Sequence, residues 1–423
     1  MRALVFRYAL PRLALTRALG TFWPAAYVSP VAPLRLEHVP EPEPRPGWAV
    51  VRTALAGICG SDVKQVFLDG NSDNPLTALV SFPHVLGHEA TGTVERTGPG
   101  VTRLREGDRV VLDPWLSCFV RGADPPCDAC TRGDFPLCER PSRAAGNALP
   151  PGIHTGNCAG VTGAFADRFE AHETQLVLVP DGLSFEQAVL ADPFAVALHS
   201  VLRLPPREDG PALVYGCGVL GLMTVAILRT LCPGVETHAI ARFGHQRRLA
   251  EVLGAKVTYG ESGVALVERA AATLGAPLQR PWKGLPWLLR GYATVYDTVG
   301  SAETLETGLR LAAPRARIVV TGVATPRRFE WTPLYFKVIA LVGSNAFGVE
   351  VFEGEQAHAI AIYLDLARRG RVDVSALLTH RFPLAQYGRA FLTARRKGRS
   401  GAVKVALEPG ADERFDIAER LRR

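Results

Sequence analysis

Six residues near the middle of the chain restrict its architecture more than any other segment. Gly216-Cys217-Gly218-Val219-Leu220-Gly221 follows the short apolar run Ala212–Tyr215 and opens an apolar, helix-compatible stretch over 221–231. Glycines there permit a tight turn and close backbone approach, so that helix-terminal N–H groups can hold a pyrophosphate. Such a loop is informative only between a strand and a helix, and that context is present. The alternation continues, with strands predicted at 238–241, 294–296 and 318–321 and a helix at 245–253. Strands alternating with helices predict an α/β domain with a doubly wound parallel sheet of the Rossmann type. Its cofactor-binding residues are read as Gly216, Gly218, Val219, Leu220 and Gly221.

The segment after the second strand bears on the choice of cofactor. An acid there would grip the ribose hydroxyls of NAD. The chain instead reads Arg242-Phe243-Gly244-His245-Gln246-Arg247-Arg248. A carboxylate would repel a 2′-phosphate, whereas guanidinium groups pair with it in bidentate fashion. NADP is therefore favoured over NAD, with Arg242 and Arg247 as the contacts.

The first half has a different texture. Residues 48–179 are rich in Gly, Pro, Val and Thr, and short apolar runs at Val94, Val101, Val110-Val111 and 176–179 fit a β-rich domain. Six prolines between Pro30 and Pro46 predict extended connections, and 184–204 has helical periodicity behind Ser184 as N-cap. The opening 20 residues are Arg-rich and free of acids, so a transit peptide must be weighed. A first strand at 3–6, with Pro11 expected to interrupt any helix, is the preferred reading.

Composition removes several classes. The chain has 423 residues, 47% apolar and 21% charged, which is globular usage and allows two or three domains. The longest apolar stretch, 212–228, contains three glycines and reads poorly as a membrane span. No signal peptide pattern is visible, so a cytoplasmic location is the default and no membrane partner is expected. Of the 48 basic residues 42 are Arg, and the net charge of +7 is dispersed. Eight cysteines are too few for a disulfide scaffold, yet four of them lie between Cys118 and Cys138.

Metal chemistry is written most clearly upstream. Gly57-Ile58-Cys59-Gly60-Ser61-Asp62 precedes Leu86-Gly87-His88-Glu89, which continues through Gly92 and Gly98 to Val101. A thiolate, an imidazole and a carboxylate in a glycine-lined setting suit zinc. Asp62 can hold the free ring N–H of a ligand histidine. Ser61 is placed to hydrogen-bond a metal-bound oxygen.

The pattern from Gly87 to Val101 resembles the zinc signature of the medium-chain alcohol dehydrogenase (medium-chain dehydrogenase/reductase) family. The resemblance extends over nearly the whole chain, through the segment 57–62, the glycine loop and the closing Gly401-Ala402-Val403-Lys404-Val405. It implies a GroES-like β-rich catalytic domain at 1–193, completed by 343–423, around a Rossmann domain at 194–342. It also implies a zinc-dependent oxidoreductase that transfers a hydride between an alcohol or polyol, or its aldehyde or ketone, and NAD(P). A carbonyl reductase working mainly in the reducing direction is the alternative. In such a site zinc lowers the pKa of the alcohol, and the proton leaves through Ser61.

Where the family's second cysteine would fall, this sequence has Asp192. The implied catalytic set is Cys59, His88 and Asp192, with Glu89 or water exchanging at a fourth position. His199, on the same predicted helix, is read as structural or cofactor-adjacent. Lys404 is expected at the cofactor phosphates, and Val299, Gly300, Gly322 and Val323 along the nicotinamide channel.

Cys127-x2-Cys130-x7-Cys138 matches three ligands of the family's structural zinc lobe, but the usual first position holds Asp124. Three readings stay open: Cys118 reaches in across a longer loop, Asp124 replaces the cysteine, or the lobe holds no metal. Cys158, Cys217 and Cys232 are read as bystanders.

A zinc-lobe nucleic-acid binder is disfavoured because the basic residues are dispersed and no recognition helix follows the lobe. The expected partner is a small alcohol or carbonyl compound, with a homodimer or homotetramer as the assembly and no nucleic acid. Candidate pocket segments are 67–79, 114–116 and 154–164. The stretch 277–290 reads as an insertion that covers the cleft, joins subunits or forms a surface helix.

Overall fold

The computed structural model describes residues 1–71, 73–142, 149–325 and 327–411. The charged end from Asp412, read as an exposed helix or frayed end, lies outside the described residues. The chain forms two compact units. One comprises Met1–Asp192, Ile360–Arg368 and the chain from Ser375; the other comprises Pro193–Ala359 and Arg369–Val374.

The first unit is built on a seven-stranded sheet. Its order is Leu378–Pro383, Lys404–Glu408, Trp48–Gly57, Glu89–Thr97, Arg109–Leu112 and Leu176–Leu178, with Arg168–His172 also paired to Trp48–Gly57. The central strand Trp48–Gly57 is buried along nearly its whole length, as its run of Val, Ala and Leu requires. Register is what builds the site. Gly57 pairs with Glu89 on one side and with Ala406 on the other. Cys59, His88 and Lys404, far apart in sequence, are thereby gathered at one end of three adjacent strands.

A small sheet of Leu34–His38, Arg2–Phe6 and His84–Val85 lies in the same unit. Between its first two strands in the sequence stands a helix over Leu10–Gly20, with Pro11 in its first turn. The expectation that Pro11 would interrupt a helix is therefore corrected. Proline lacks only an N–H that the first turn does not use, so it starts helices as readily as it breaks them.

The second unit holds six parallel strands in the order Val257–Tyr259, Thr237–Ile240, Ala212–Tyr215, Tyr292–Asp297, Ala312–Val320 and Ala340–Gly343. The strand order reverses beside Ala212–Tyr215, and ligands of doubly wound sheets bind at such switch points. Ala340–Gly343 closes this sheet, and a hairpin of Val349–Phe352 and Glu355–His358 follows it within the same unit.

Three local expectations change. The helix expected from 184 to 204 is two helices, Phe185–Ala188 and Ala191–Arg203. Ser184 caps the first, its Oγ accepting from Gln187 N at 3.2 Å. Val101 lies outside the strands. The stretch 277–290 is not a helix: Leu278–Gln279 and Trp287–Leu288 pair as antiparallel strands, with Trp282 fully exposed between them.

Candidate active site and metal centres

Cys59 is the N-cap of the helix Gly60–Val66, and Asp62 sits in its first turn. One Asp62 oxygen accepts from the Cys59 backbone N–H at 2.9 Å, and the other lies 3.5 Å from His88 Nδ1. One carboxylate thus ties down the backbone of the first candidate ligand and faces the ring of the second. Asp62 is buried, and Ser61 is exposed at the start of the same helix.

Cys59, His88 and Glu89 present ligand atoms that all lie within 4.8 Å of one another. Burial pushes the Cys59 thiol up, but the hydrogen bond and charge of His88 outweigh it and bring the thiol down to about 6. The pair is poised toward thiolate and imidazolium, and the thiolate is the form that ligates a metal. Glu89 is less free than the sequence suggests. Its carboxylate is ion-paired with the buried Lys404 ammonium, which also donates to Ile58 O at 3.3 Å. Position 57 is closely approached: a Cβ there would fall 2.6 Å from Glu89 Oε2 and 2.7 Å from Lys404 Cε, and both side chains would have to shift.

Lys404 therefore departs from the expectation of a phosphate contact. Its amine is sealed beneath the site, and its partners are Glu89 and a backbone carbonyl. Burial pushes it down to about 8, with Cys59 and Asp62 pulling it back up.

Asp192 stands in the first turn of the helix Ala191–Arg203, outside the 4.8 Å cluster. Its Oδ2 is buried and has no hydrogen-bond partner. Burial raises its carboxyl well above the usual range, Cys59, Asp113 and Asp62 add to this, and His88 opposes it. A buried carboxylate in anionic company, with an orphaned oxygen, lacks a cation. The donor set of this unit, a thiol, an imidazole and buried carboxylates, fits zinc.

The cysteine lobe is a second and different cluster. Cys118, Cys127, Cys130 and Cys138 bring four sulfurs within 4.8 Å of one another. Cys118 Sγ and Cys138 Sγ are 3.7 Å apart. A tetrahedral ion with bonds of about 2.3 Å spaces its sulfurs about 3.8 Å apart. Backbone N–H groups donate to the sulfurs, Cys118 N to Cys130 Sγ at 3.3 Å and Cys127 N to Cys118 Sγ at 3.4 Å. Asp124 is exposed and stands outside the cluster, so the reading in which it replaces the first cysteine is corrected. The longer loop brings the buried Cys118 sulfur into the cluster from the start of a four-residue helix, Cys118–Arg121.

In the second unit the glycine loop is as expected in kind, although the helix begins at Val219, two residues early. Gly216 has φ +93°, and a Cβ on Gly221 would fall 1.9 Å from Gly216 O. Neither position tolerates a side chain. Thr298 Oγ1 donates to Gly216 O at 2.6 Å, and Val299 packs against Gly216. Gly300 and Gly322 approach too closely for any Cβ, which holds the two loops carrying Val299 and Val323 together. His199 is occupied by Glu350, 2.6 Å from its Nδ1.

The basic segment is arranged around one helix start. No acid ends the strand Thr237–Ile240. Arg242 is exposed, its guanidinium 5.6 Å from the Phe243 ring. Arg247 donates to Ala241 O at 3.0 Å. Arg248 Nη1 and Arg247 Nη2 come within 3.6 and 3.7 Å of where a Cβ on Gly244 would stand, at the first residue of the helix Gly244–Leu253.

Sequence reasoning named the segment 154–164 but not its most telling residue. The His154 ring lies 4.5 Å from that of His88 and 5.9 Å from that of Trp115. Its Nδ1 contacts Thr155 O at 2.6 Å, while burial and the charge of His88 lower it to about 3, so it is a neutral ring. Asn157 shapes this turn, its Oδ1 accepting from Ile153 N and His154 N at 3.1 Å each. Lys397 was also missed: it carries its charge near Cys59, though burial pushes its amine down. Nothing in the spacing announces either residue, because both arrive from distant segments.

Comparison with known proteins agrees with this geometry. The family model for the alcohol dehydrogenase GroES-like domain matches residues 45–181, and that for zinc-binding dehydrogenase matches 219–361. L-Idonate 5-dehydrogenase of Vitis vinifera is 26% identical over 90% of this chain and 93% of its own. Sorbitol dehydrogenase of Bacillus subtilis is 25% identical over 86% of this chain and 90% of its own. A solved structure described as a zinc-binding dehydrogenase from Sinorhizobium meliloti 1021, bound to NADP, superposes with a TM-score of 0.67 at 25% identity. It spans 89% of this chain and 96% of that one. The two models together span most of the chain and meet, in turn, the thiol–imidazole site and the glycine-loop sheet: the chain belongs to the medium-chain dehydrogenase/reductase family and is an oxidoreductase.

Proposed function

We propose that the chain is a zinc-dependent alcohol or polyol dehydrogenase that uses NADP in preference to NAD. The observation that carries the reading is the buried, orphaned Asp192 oxygen in electrostatic reach of Cys59 and His88. The polyol class rests on the named relatives, which act on idonate and sorbitol. Cys59, His88 and Asp192 would hold the zinc, with Glu89 or water at a fourth position. When bound, zinc supplies a Lewis acid for the substrate oxygen, and the nicotinamide supplies a hydride acceptor or donor.

The chain's own groups do the rest. Asp62 fixes the Cys59 backbone and faces the His88 ring. Ser61, exposed at the helix start, passes the hydroxyl proton toward water. Lys404 restrains Glu89 in a buried ion pair, which Glu89 would have to leave in order to reach a metal. His154, neutral and tilted 42° against the His88 ring, walls the site without adding charge. The NADP preference rests on the absence of an acid after Ile240 and on the convergence of Arg247 and Arg248 at a ten-residue helix start.

A panel of alcohols and aldehydes scanned with both cofactors tests the reading. Secondary alcohols and polyols should turn over with NADP. Arg242→Asp and Arg248→Asp should each lower the NADPH-to-NADH preference about tenfold. An unchanged ratio in both variants removes the basis for NADP.

A further inference from the structure

The Arg-rich opening of the chain takes no part in the site described above, and its structure is unusual for a soluble surface. From Met1 to Leu36 there are five arginines and no acid; Glu37 is the first carboxylate. The helix Leu10–Gly20 and the 3-10 turn Pro24–Val28 form a hairpin seated firmly on the first unit. Thr16 Oγ1 donates to Val31 O at 3.1 Å, and Arg12 Nη1 donates to Pro30 O at 2.9 Å. Leu13, Tyr27 and Val28 pack on the core, and the Tyr27 ring lies 5.4 Å from that of Phe67.

That seating uses the inner face only. A surface helix normally turns its polar side to water. Here, Arg17 apart, the exposed helix residues are Leu10, Pro11, Ala14, Leu15, Ala18 and Leu19, and the hairpin tip presents Phe22 at 92% and Trp23 at 52% exposure. Leu10 is 66% exposed and Tyr8 58%. Cations flank this apolar ridge. Arg17 reaches Leu68 O at 3.5 Å, and Arg35 reaches Pro30 O at 2.7 Å. With Arg12, these three donate to backbone carbonyls rather than to a carboxylate. Arg7 is neutralised by Glu37 at 2.7 Å.

We propose that this hairpin docks the protein on an anionic lipid surface, with Phe22, Trp23 and the outer leucines in the headgroup boundary and Arg12, Arg17 and Arg35 against lipid phosphates. Exposed apolar patches of this kind mark interaction sites. Aromatics at a helix end, with arginines beside them, suit a bilayer interface, where apolar burial and charge attraction add. A second copy fits less well, because a two-fold contact would set these arginines against themselves. The mode is lying on the membrane: among the described residues no helix is long and apolar enough to cross one. The earlier expectation of no membrane partner is revised by this proposal.

Sedimentation of the full chain with vesicles tests it. Binding is expected to phosphatidylcholine vesicles containing phosphatidylglycerol, to fall as salt rises, and to be weak on phosphatidylcholine alone. Phe22→Ser and Trp23→Ser should each lower the partition on the order of tenfold, at an unchanged melting temperature. Arg17→Glu should weaken binding to the anionic vesicles alone. Absence of binding to either vesicle, or binding untouched by both serine variants, overturns the proposal. So does self-association that the serine variants abolish, which would assign the ridge to a second copy.

Discussion

The catalytic cluster and the cysteine lobe lie in the same unit and draw on overlapping chemistry, yet they are built in opposite ways. Around Cys59 the donors are mixed, one carboxylate oxygen is orphaned, and neighbours such as Asp62 and Lys404 tie down individual ligands. Around Cys118 the donors are four sulfurs, closed on one another and served by backbone N–H groups. The first arrangement leaves work for a ligand to do. The second is complete once an ion sits in it. The difference is that between a site that exchanges ligands and one that staples a loop.

Substitutions can break that contrast, and the largest effect belongs to the open site. Cys59→Ser should lower turnover about a thousandfold, since several kcal/mol of charge stabilisation go with the metal, while the melting curve stays nearly unchanged. Steady-state kinetics beside calorimetry read both. The lobe should respond the other way round. Cys118→Ala should cost about 4 kcal/mol of stability and one zinc per chain, with turnover per folded molecule retained. Asp124→Ala should change stability by less than about 0.5 kcal/mol. Equal damage from these two variants would restore Asp124 as a ligand.

Asp62→Asn sharpens the contrast at a residue that touches no metal. It should weaken metal retention or turnover by about ten- to a hundredfold, because Asp62 orients both Cys59 and His88. Asp192→Asn should give the least intuitive effect. In the zinc-free protein the folded state raises the Asp192 carboxyl above its unfolded value, so the folded state binds more protons there. Stability is therefore lost as pH rises from about 4, the unfolded value, toward the folded one. Removing the charge should make the chelated protein melt higher at neutral pH and flatten that pH dependence. A chelated variant that melts lower would show that Asp192 is already satisfied without a cation.

Much of this was legible in the chain itself. Cys59 and His88 declare themselves because their motifs are local: a helix start and a strand start, each framed by glycine. The glycine loop is legible for the same reason, since Gly216 and Gly221 are required within one turn. What escaped depends on register. The Glu89–Lys404 pair exists only because Gly57 pairs with both Glu89 and Ala406, and no spacing in the sequence encodes that. His154 reaches His88 through the bridge between Trp115 and His154, which joins two distant loops. The choice between Cys118 and Asp124 turned on which of them the fold brings into the cluster. Pro11 misled because its effect depends on its place in the helix, which the sequence pattern alone left open.

We propose that one unit binds two zinc ions of different character, one at each cluster. Graded chelation of the purified protein, with zinc counted as it leaves and turnover and melting followed in parallel, tests it most directly. The account predicts about two zinc per chain, of which the first departs with all activity and little unfolding, and the second only as the fold melts. A chain that binds no zinc, or one whose two ions leave together with activity and stability lost in step, would contradict it.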